Sequence, residues 1–462
     1  MTLPDPRVTV AIDQGTTSTR ALRLEADGTA RIVARRRHRQ IIPRPGWLEH
    51  DPAELLADLR ACLEAVPTAC RVGLANQGES CLAWDALTGA PLSPVIVWQD
   101  RRTAGTVEAL RAAGGEAETR TCAGLPLDPY FSAAKLGWLL RELPEVAAAH
   151  ARGRLRLGTT DAFFRQHLTG RCATDAATAS RTSLLALSRG SWDARLCALF
   201  GVPIETLPEI GDSQGALGEI GDAVLGASLV DQQAALFGHG CDAPGRIKIT
   251  FGTGAFALGF AGPRPPLVFA AGPLPTIAWR RGGVDSFALE GGVLQAGSAV
   301  ERGLVFVPAL SGLGCPHWDA TAGGLWIGLG VEQGPGDLCQ AVLEGIALRC
   351  AELVAALETR LPRPETISVD GGLAGCDPFL QFLADALQRE LFRPDFRELT
   401  ALGCARLAAG AGRAPPPPSG RRFSPRGAVG PDRAAAWRAR FAAAVARSRG
   451  WREGEDNPGP PA

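Results

Sequence analysis

The chain has 462 residues, of which 46% are hydrophobic and 21% are charged. That length exceeds one compact domain and suggests roughly two to four domains with buried cores. The 48 basic and 48 acidic residues cancel, which argues against nucleic acid or an anionic membrane as the main partner, because both attract a basic surface. Only two basic residues are lysines, Lys135 and Lys248. Neither lies in a Gly-Lys-Ser/Thr sequence, so a Walker A phosphate loop is excluded.

The cysteines and the apolar stretches indicate the cellular compartment. The twelve cysteines include no Cys-x-x-Cys pair, which excludes zinc ribbons and thioredoxin-like motifs. The first residues lack the pattern of a secretion signal. The most apolar stretch, 251–263, ends at Arg264 and Pro265 and is too short for a membrane span. We therefore expect a cytoplasmic protein with reduced thiols and no membrane span.

The first predicted elements form an antiparallel meander. A β-branched strand at 8–12 leads into Asp13 and a Gly-Thr-Thr turn, and strands at 21–24 and 31–39 flank the hairpin turn Asp27-Gly28. The arginine-rich residues 35–39 could bind an anion, but a solvated strand face is the favoured interpretation.

A similar element returns later in the chain. A strand at 246–251, a Gly-Thr-Gly turn at 252–254 and a strand at 255–260 repeat the first arrangement 237 residues further on. This suggests an internal duplication with a boundary near 240–245, although a chance match of short strands with glycine turns remains the alternative.

The rest of the second half mixes helices and one strand. Helices are predicted at 338–358, with Asp337 as N-cap, at 379–391, with Asp377 as N-cap and Pro378 at the first position, and at 432–449. A strand at 366–370, the pair Gly371-Gly372 and the following helix N-terminus could cradle a phosphate. Residues 414–419 form a proline-rich loop, and the end of the chain is predicted to be a frayed tail.

The segment 13–20 (DQGTTSTR) is the first candidate site. Its backbone N–H groups and hydroxyls could surround a terminal phosphate, Arg20 adds positive charge, and Asp13 could hold Mg²⁺. Taken alone, the segment could equally be an ordinary turn.

Ten segments in this order resemble one family. They are 13–20, 46–52 (GWLEHDP), 76–77 (NQ), 97–102 (VWQDRR), 124–130 (GLPLDPY), 179–182 (ASRT), 231–233 (DQQ), 251–254 (FGTG), 312–314 (GLG) and 369–372 (VDGG). The chain, from about residue 8 to residue 449, resembles the FGGY carbohydrate kinases, and within that family the glycerol kinases most closely.

The resemblance implies an α/β protein with two ribonuclease H-like, actin-type ATPase domains and a cleft between them. Residues 1–240 would form the N-terminal domain, with the acceptor and phosphate sites and the catalytic base. Residues 241–452 would form the nucleotide-binding C-terminal domain, and 453–462 a disordered tail. It also implies ATP and Mg²⁺ as cofactors, a small polyol as substrate and a homo-oligomer.

The resemblance also assigns the nucleotide contacts. The phosphate contacts would be Thr16, Thr17, Ser18, Arg20 and Thr253, with Asp13 at the metal. The contacts on the adenosine side would be Gly297, Glu301, Gly372 and Cys376, where Glu301 replaces a family Gln and Cys376 a family Asn.

Asp231 matches the catalytic base of the family, which accepts the proton of the alcohol. A solvated loop Asp is the alternative from the residues alone. The acceptor pocket would be formed by Glu79, Tyr130, Trp98, Gln232 and Phe256, although Trp98 could equally be a core residue.

Two departures from the family leave the acceptor open. Gly78 replaces an Arg, which removes a charged donor worth about 1.5–3 kcal/mol and is expected to leave room for a water or a larger substrate. After Gly303 the chain lacks a helix and loop of the family. We expect a kinase for a primary hydroxyl, glycerol first. A larger polyol or ketose of the erythritol, xylitol or xylulose type and a non-catalytic sensor are the alternatives.

Overall fold

The fold is described from a computed structural model that covers residues 5–251, 255–266, 272–293, 303–330, 333–417 and 419–452. Its strands are β1 Asp5–Gln14, β2 Ser18–Leu24, β3 Ala30–Arg37, β4 Glu49–His50, β5 Ala69–Asn76, β6 Cys81–Asp85, β7 Val95–Ile96, β8 Leu155–Thr159, β9 Ala173–Asp175, β10 Leu185–Ala186, β11 Ser191–Trp192, β12 Glu209–Gly211, β13 Glu219–Ile220, β14 Ala223–Val230, β15 Ile247–Phe251, β16 Ala255–Gly262, β17 Leu274–Arg281, β18 Val284–Val293, β19 Val305–Val307, β20 Leu325–Ile327, β21 Thr366–Gly371, β22 Glu390–Pro394 and β23 Gly420–Phe423.

The helices alternate with these strands in both halves of the chain. They are α1 Pro52–Glu64, α2 Ala104–Ala112, α3 Glu116–Cys122, α4 Ser132–Glu142, α5 Pro144–Ala151, α6 Thr160–Thr169, α7 Ala176–Ala179, α8 Ala194–Phe200, α9 Asp231–Gly238, α10 Pro335–Glu358, α11 Asp377–Leu387, α12 Leu399–Ala408 and α13 Pro431–Ser448. None of these described helices is long and apolar enough to cross a membrane.

The first half is built on a six-stranded sheet with the order β13-β14-β5-β1-β2-β3. Strands β1, β2 and β3 are antiparallel neighbours, so the predicted meander is confirmed. The turn between β2 and β3 contains Gly28 with φ +88°, a left-handed conformation that glycine adopts without a steric penalty. Strands β5 and β14 then add in parallel, β5 beside β1 and β14 beside β5.

The second half repeats this arrangement. In its seven-stranded sheet, ordered β17-β18-β16-β15-β21-β22-β23, strands β15, β16 and β18 are antiparallel. Strand β21 lies parallel to β15, and β22 parallel to β21. Each half therefore has three antiparallel strands followed by two parallel ones, which supports the predicted duplication. In sequence, all strands of the first sheet precede residue 240 and all strands of the second sheet follow residue 245. The domain boundary at 240–245 stays a prediction.

Helix boundaries differ from the predicted ones in two places. Helix α10 begins at Pro335, and Asp337 lies inside its first turn, where Oδ2 accepts from the N–H of Gly334 at 3.0 Å. Helix α11 begins at Asp377, so its N-cap is Cys376 and not Asp377 as predicted, and it ends at Leu387, where Gln388 is left-handed with φ +54°. Glu390 and Leu391, the last two residues of the predicted helix, instead belong to strand β22. Helix α13 closely matches the prediction.

Helices α9 and α12 join the two halves. Helix α12 comes from the second half but packs on α9, β1 and β5. The two helices approach closely through glycines, since a Cβ on Gly403 would lie 1.9 Å from the carbonyl oxygen of Ala234 and one on Gly238 would lie 2.0 Å from that of Leu399. A buried cluster that includes Leu229, Leu258 and Leu399 continues this contact across both sheets. Asp231, at the start of α9, therefore rests on a firmly packed support.

Candidate active site

A cavity of about 220 Å³ lies where residues of the two halves meet. It contains twelve of the predicted site residues, namely Asp13, Thr16, Thr17, Ser18, Arg20, Gly78, Glu79, Trp98, Tyr130, Asp231, Gln232 and Phe256. Thr250, Phe256, Glu290 and Thr400 line it from the second half. Gly372, directly after β21, and Cys376, directly before α11, are not among the described residues that line it. Thr253, Gly297 and Glu301 lie outside the described residues.

The turn between β1 and β2 forms one end of the cavity. The N–H of Gly15 donates to the carbonyl of Ser18 at 3.1 Å, which closes the turn. Nε2 of His38 and Nε2 of Gln40 each lie 2.8 Å from the carbonyl oxygen of Thr16. His38, within the basic segment 35–39, is buried rather than solvated, whereas Arg36, Arg37 and Arg39 are exposed as expected. The buried His38 thus helps to hold the turn.

Asp13 and Arg20 face each other across the end of the β1–β2 hairpin. Nη1 of Arg20 lies 3.6 Å from Oδ2 of Asp13 and donates to Glu398 at 2.6 Å. Burial raises the pKa of Asp13 to about 6, with Arg20 opposing the rise and Glu398 and Asp370 adding to it. A buried carboxylate among other acids gains from a cation, and Mg²⁺ prefers oxygen ligands. The residues present therefore fit Mg²⁺ at Asp13, while Arg20 shares its charge with Glu398.

Asp231, the first residue of α9, is another acid that lines the cavity. Its Oδ1 accepts from the N–H of Gln232 at 2.7 Å. Burial, the charge of Asp13 and then that of Glu79 raise the pKa of Asp231 to about 7, against the opposing charge of Lys248. A carboxylate whose pKa lies near neutral pH can accept a proton in one step and release it in the next, as a general base requires.

The acceptor end is organised around Glu79, which is buried and has a left-handed backbone with φ +55°. That conformation costs a residue other than glycine about 1–3 kcal/mol and tends to occur at functional sites. Nε of Arg181 donates to Oε1 of Glu79 at 2.7 Å, and Nη2 donates to Glu290 at 2.9 Å. The pKa of Glu79 is raised by burial, and Arg181 opposes that rise. A guanidinium thus reaches Glu79 from another part of the chain.

Aromatic rings separate the two ends of the site. Trp98 makes edge-on contacts with Tyr130 and Phe256, with ring centroids 5.6 and 6.0 Å apart. Nε1 of Trp98 donates to Oγ1 of Thr16 at 2.9 Å. Trp98 is therefore part of the cavity wall and not only a core residue. It connects the turn that should bind phosphate to the pocket that should bind the alcohol.

Gly78 lies at the cavity wall, close to Val230. A Cβ at this position would lie 2.9 Å from Cγ2 of Val230, a stiff β-branched side chain directly before Asp231. Val230 thus lies in the direction in which a side chain at 78 would start, while Gly78 itself lines the cavity. The expectation that the loss of an arginine leaves room for a water or a larger substrate stays a prediction.

Several cavity residues had no predicted role. Arg181 lies in a segment recognised only as part of the family pattern, and Glu290 and Thr250 lie in strands without a distinctive motif. Lys248, behind the cavity, was noted only because it is not a Walker lysine. The signal that could have identified it is the rarity of lysine in a chain with 46 arginines.

The fold and the site together define a two-domain phosphotransferase of the actin type. The predicted phosphate-binding turn, the predicted base and the predicted hydroxyl pocket line one cavity, to which residues of both halves contribute, and the two sheets have matching topology. The FGGY carbohydrate kinase models match residues 8–243 for the N-terminal domain and 294–412 for the C-terminal domain. The chain belongs to the FGGY family of carbohydrate kinases.

Individual relatives agree with this assignment. The glycerol kinase of Aromatoleum aromaticum is 41% identical over 492 residues, covering 96% of this chain and 99% of that protein. The glycerol kinase of Trichlorobacter lovleyi is 42% identical over 441 residues, covering 86% and 89%. The crystal structure of Plasmodium falciparum glycerol kinase with ADP has a TM-score of 0.84 at 26% identity, covering 96% of this chain and 98% of that one. The predicted fold and the prediction of a kinase are confirmed. The findings therefore favour an enzyme over the alternative of a non-catalytic sensor.

Proposed function

We propose that this enzyme transfers the γ-phosphoryl group of ATP to a primary hydroxyl of glycerol, giving glycerol 3-phosphate and ADP. The observation that carries the proposal is Asp231, whose pKa is raised to about 7 by burial and by neighbouring acids. It lines the same cavity as the β1–β2 turn and Glu79. Relatives named glycerol kinase, about 40% identical to the chain, support glycerol as the acceptor.

In this proposal, each end of the cavity has its own task. The turn at 15–18 and Arg20 hold the phosphates, while Glu79 and Tyr130 accept and orient the other hydroxyls of the acceptor. Oδ1 of Asp231 is occupied by the Gln232 N–H, so we assign Oδ2 to the proton of the reacting hydroxyl. As that proton moves to Asp231, the acceptor oxygen bonds to the γ-phosphorus and the bond from this phosphorus to the bridging oxygen of ADP breaks.

Mg²⁺ would neutralise charge on the phosphate oxygens, and Asp13 would hold it directly or through water. The second Gly-Thr turn, with Thr253, would contact the phosphates from the other half. Gly297, Glu301, Gly372 and Cys376 would lie near the adenosine. These assignments rest on the resemblance to the family and stay proposals.

One observation favours a second candidate, a longer polyol or ketose of the erythritol, xylitol or xylulose type. A further cavity of about 200 Å³ shares Trp98, Tyr130, Phe256, Arg181 and Glu290 with the first. A chain of four or five carbons could extend past the aromatic rings into that space. Gly78 lines the first of the two cavities, so the side chain that is missing at position 78 would add to that room.

An acceptor panel tests both candidates. A coupled assay with ATP and Mg²⁺ measures ADP release. Among the acceptors of the panel, glycerol should give the highest kcat/KM. A clear preference for erythritol, xylitol or xylulose would favour the second candidate instead. Release no faster than without an acceptor, across the whole panel, would refute polyol phosphorylation.

We further propose that the enzyme works as a homo-oligomer in the cytoplasm, where ATP is available, and does not bind nucleic acid. Its balanced charge of 48 basic and 48 acidic residues supports the last point. Light scattering of the purified protein tests the oligomer, since a monomeric mass at micromolar concentration would contradict it.

A further inference from the structure

The two lysines of this chain occupy unusual places. The sequence has 46 arginines and only Lys135 and Lys248, and both lysine side chains are completely buried. Lysine carries a compact ammonium group, whereas arginine carries a wide planar guanidinium, so a closed site that fits one need not fit the other. In a chain that uses arginine almost everywhere, two buried lysines indicate places where the larger group does not fit.

Lys248 lies on β15, directly behind the start of α9. Its Nζ donates to Oε1 of Gln232 at 2.5 Å and to Oγ1 of Thr250 at 3.0 Å. Gln232 and Thr250 both line the cavity, whereas Lys248 lies behind them. Because the ammonium can only donate, it binds the oxygen of the Gln232 amide and leaves the NH₂ group as the donor for the cavity.

The groups that act electrostatically on Lys248 lie on several of the elements around it, whereas β16, which pairs with β15 at Leu258, contributes none of them. Asp370 on β21, Asp231 on α9 and Glu290 on β18 are the acids that act on it, with Cys241 after α9. Nε2 of His239 lies 3.3 Å from Asp370 and shares that carboxylate. Burial lowers the pKa of Lys248, and these acids oppose the effect. In return, the ammonium is the cation that opposes the rise in the pKa of Asp231.

We propose that Lys248 is a positioning residue for phosphoryl transfer: it fixes the Gln232 amide beside Asp231, stabilises the Asp231 carboxylate and cannot be replaced by arginine. The inference rests on the proposed function, because Asp231 is taken as the base. Lys248 keeps its own proton throughout, and the proton of the acceptor goes to Asp231.

The test compares Lys248→Met and Lys248→Arg with the wild type. Without the ammonium, Asp231 should be harder to ionise. In Lys248→Met the acid limb of the pH profile of kcat/KM should therefore move about one pH unit higher than in the wild type. At neutral pH kcat should fall about tenfold, while the KM for ATP should stay within about twofold of the wild-type value. Lys248→Arg should fail to restore kcat. A wild-type profile in Lys248→Met, or wild-type kcat in Lys248→Arg, would overturn the inference.

Two additions keep the result decisive. If Lys248→Met does not fold, Thr250→Val removes one partner of the ammonium and should shift the same limb in the same direction. Its unchanged profile would contradict the role. Arg349→Met is the matched control. Arg349 is also a buried, positively charged residue of the second half, but it donates to the carbonyl of Cys315 at 2.8 Å and does not line the cavity. This substitution should lower the melting temperature and leave the pH profile in place.

A measurement without turnover separates this inference from the proposed function. Infrared spectra show a band for each protonated carboxyl group. The band that is present in the wild type and absent from Asp231→Asn belongs to Asp231 and reports its ionisation directly. In Lys248→Met this band should persist to higher pH than in the wild type, even if no acceptor in the panel is phosphorylated. A band that disappears at the same pH in both proteins would overturn the role of Lys248 and leave the kinase proposal intact.

Discussion

Replacing Asp231 with asparagine should lower activity and raise stability at the same time. Asparagine has nearly the same shape but accepts no proton, so kcat should fall by roughly 10²–10⁴-fold, the usual contribution of a general base. Because partial burial and the charges of Asp13 and Glu79 raise the pKa of Asp231 to about 7, its ionised form is unfavourable in the folded protein. Removing that charge should therefore stabilise the fold.

The sign and size follow from proton linkage. A carboxyl with an ordinary pKa of 3.8 when unfolded and about 7 when folded favours the fold at low pH. That contribution is fully present below the unfolded pKa and is lost as the pH rises through the folded pKa. The difference corresponds to at most about 4 kcal/mol, since each pKa unit is worth about 1.4 kcal/mol. The side chain is only half-buried, so about 2 kcal/mol is a more realistic expectation. In a chain of 462 residues this corresponds to roughly 2 °C in melting temperature.

Melting curves of Asp231→Asn and wild type at pH 5 and pH 8, together with coupled kinetics, test this prediction. The variant should gain stability over the wild type mainly at pH 8. Asp27→Asn is the control, because Asp27 is exposed and its pKa is lowered by hydrogen bonds from Thr29; it should gain no stability at pH 8. An Asp231→Asn enzyme with kcat near wild type, or with no gain in stability at pH 8, would refute the reasoning.

Two further substitutions probe the walls of the cavity. Gly78→Ala should lower the melting temperature because its Cβ would lie 2.9 Å from Cγ2 of Val230, a strain of about 1–3 kcal/mol; adding Val230→Ala should recover part of the loss, as a double-mutant cycle would measure. Glu398→Gln should tighten MgATP binding about fivefold. The change removes a negative charge near Asp13, and it leaves more of the positive charge of Arg20 for the phosphates. Calorimetric titration gives the dissociation constant.

Each of these has a defined contrary result. Gly105→Ala is the control for the first, because no heavy atom lies within 4 Å of the added Cβ, and its melting temperature should not fall. Equal losses in Gly78→Ala with and without Val230→Ala would contradict the packing argument. Weaker MgATP binding in Glu398→Gln would mean that Glu398 holds Arg20 in its binding position instead of competing for it.

The fold and most of the site could be predicted because they depend on short local signals. Alternating strands with glycine turns at 15 and 252 indicated two similar halves, and the segment patterns indicated the family. The exact ends of helices were harder to predict, as α11 shows. It stops where Gln388 adopts a left-handed conformation, and a glutamine there carries none of the usual signals of a helix end.

The remaining site features depend on residues that are distant in sequence. Arg181 reaches Glu79 across 102 positions, so the sequence showed the loss of an arginine at position 78 but not the guanidinium that approaches from elsewhere. The contact between Val230 and Gly78 likewise arises from the packing of β14 beside β5. Lys248 meets Gln232 only because the first strand of the second sheet passes behind the start of α9.

A crystal structure with glycerol, Mg²⁺ and a non-hydrolysable ATP analogue tests the central claim most directly. The account predicts a primary hydroxyl of glycerol within about 2.6–3.2 Å of an Asp231 oxygen, with the γ-phosphate on the other side of that hydroxyl at the β1–β2 turn. Glycerol bound away from Asp231, or a γ-phosphate that does not approach the turn, would contradict it.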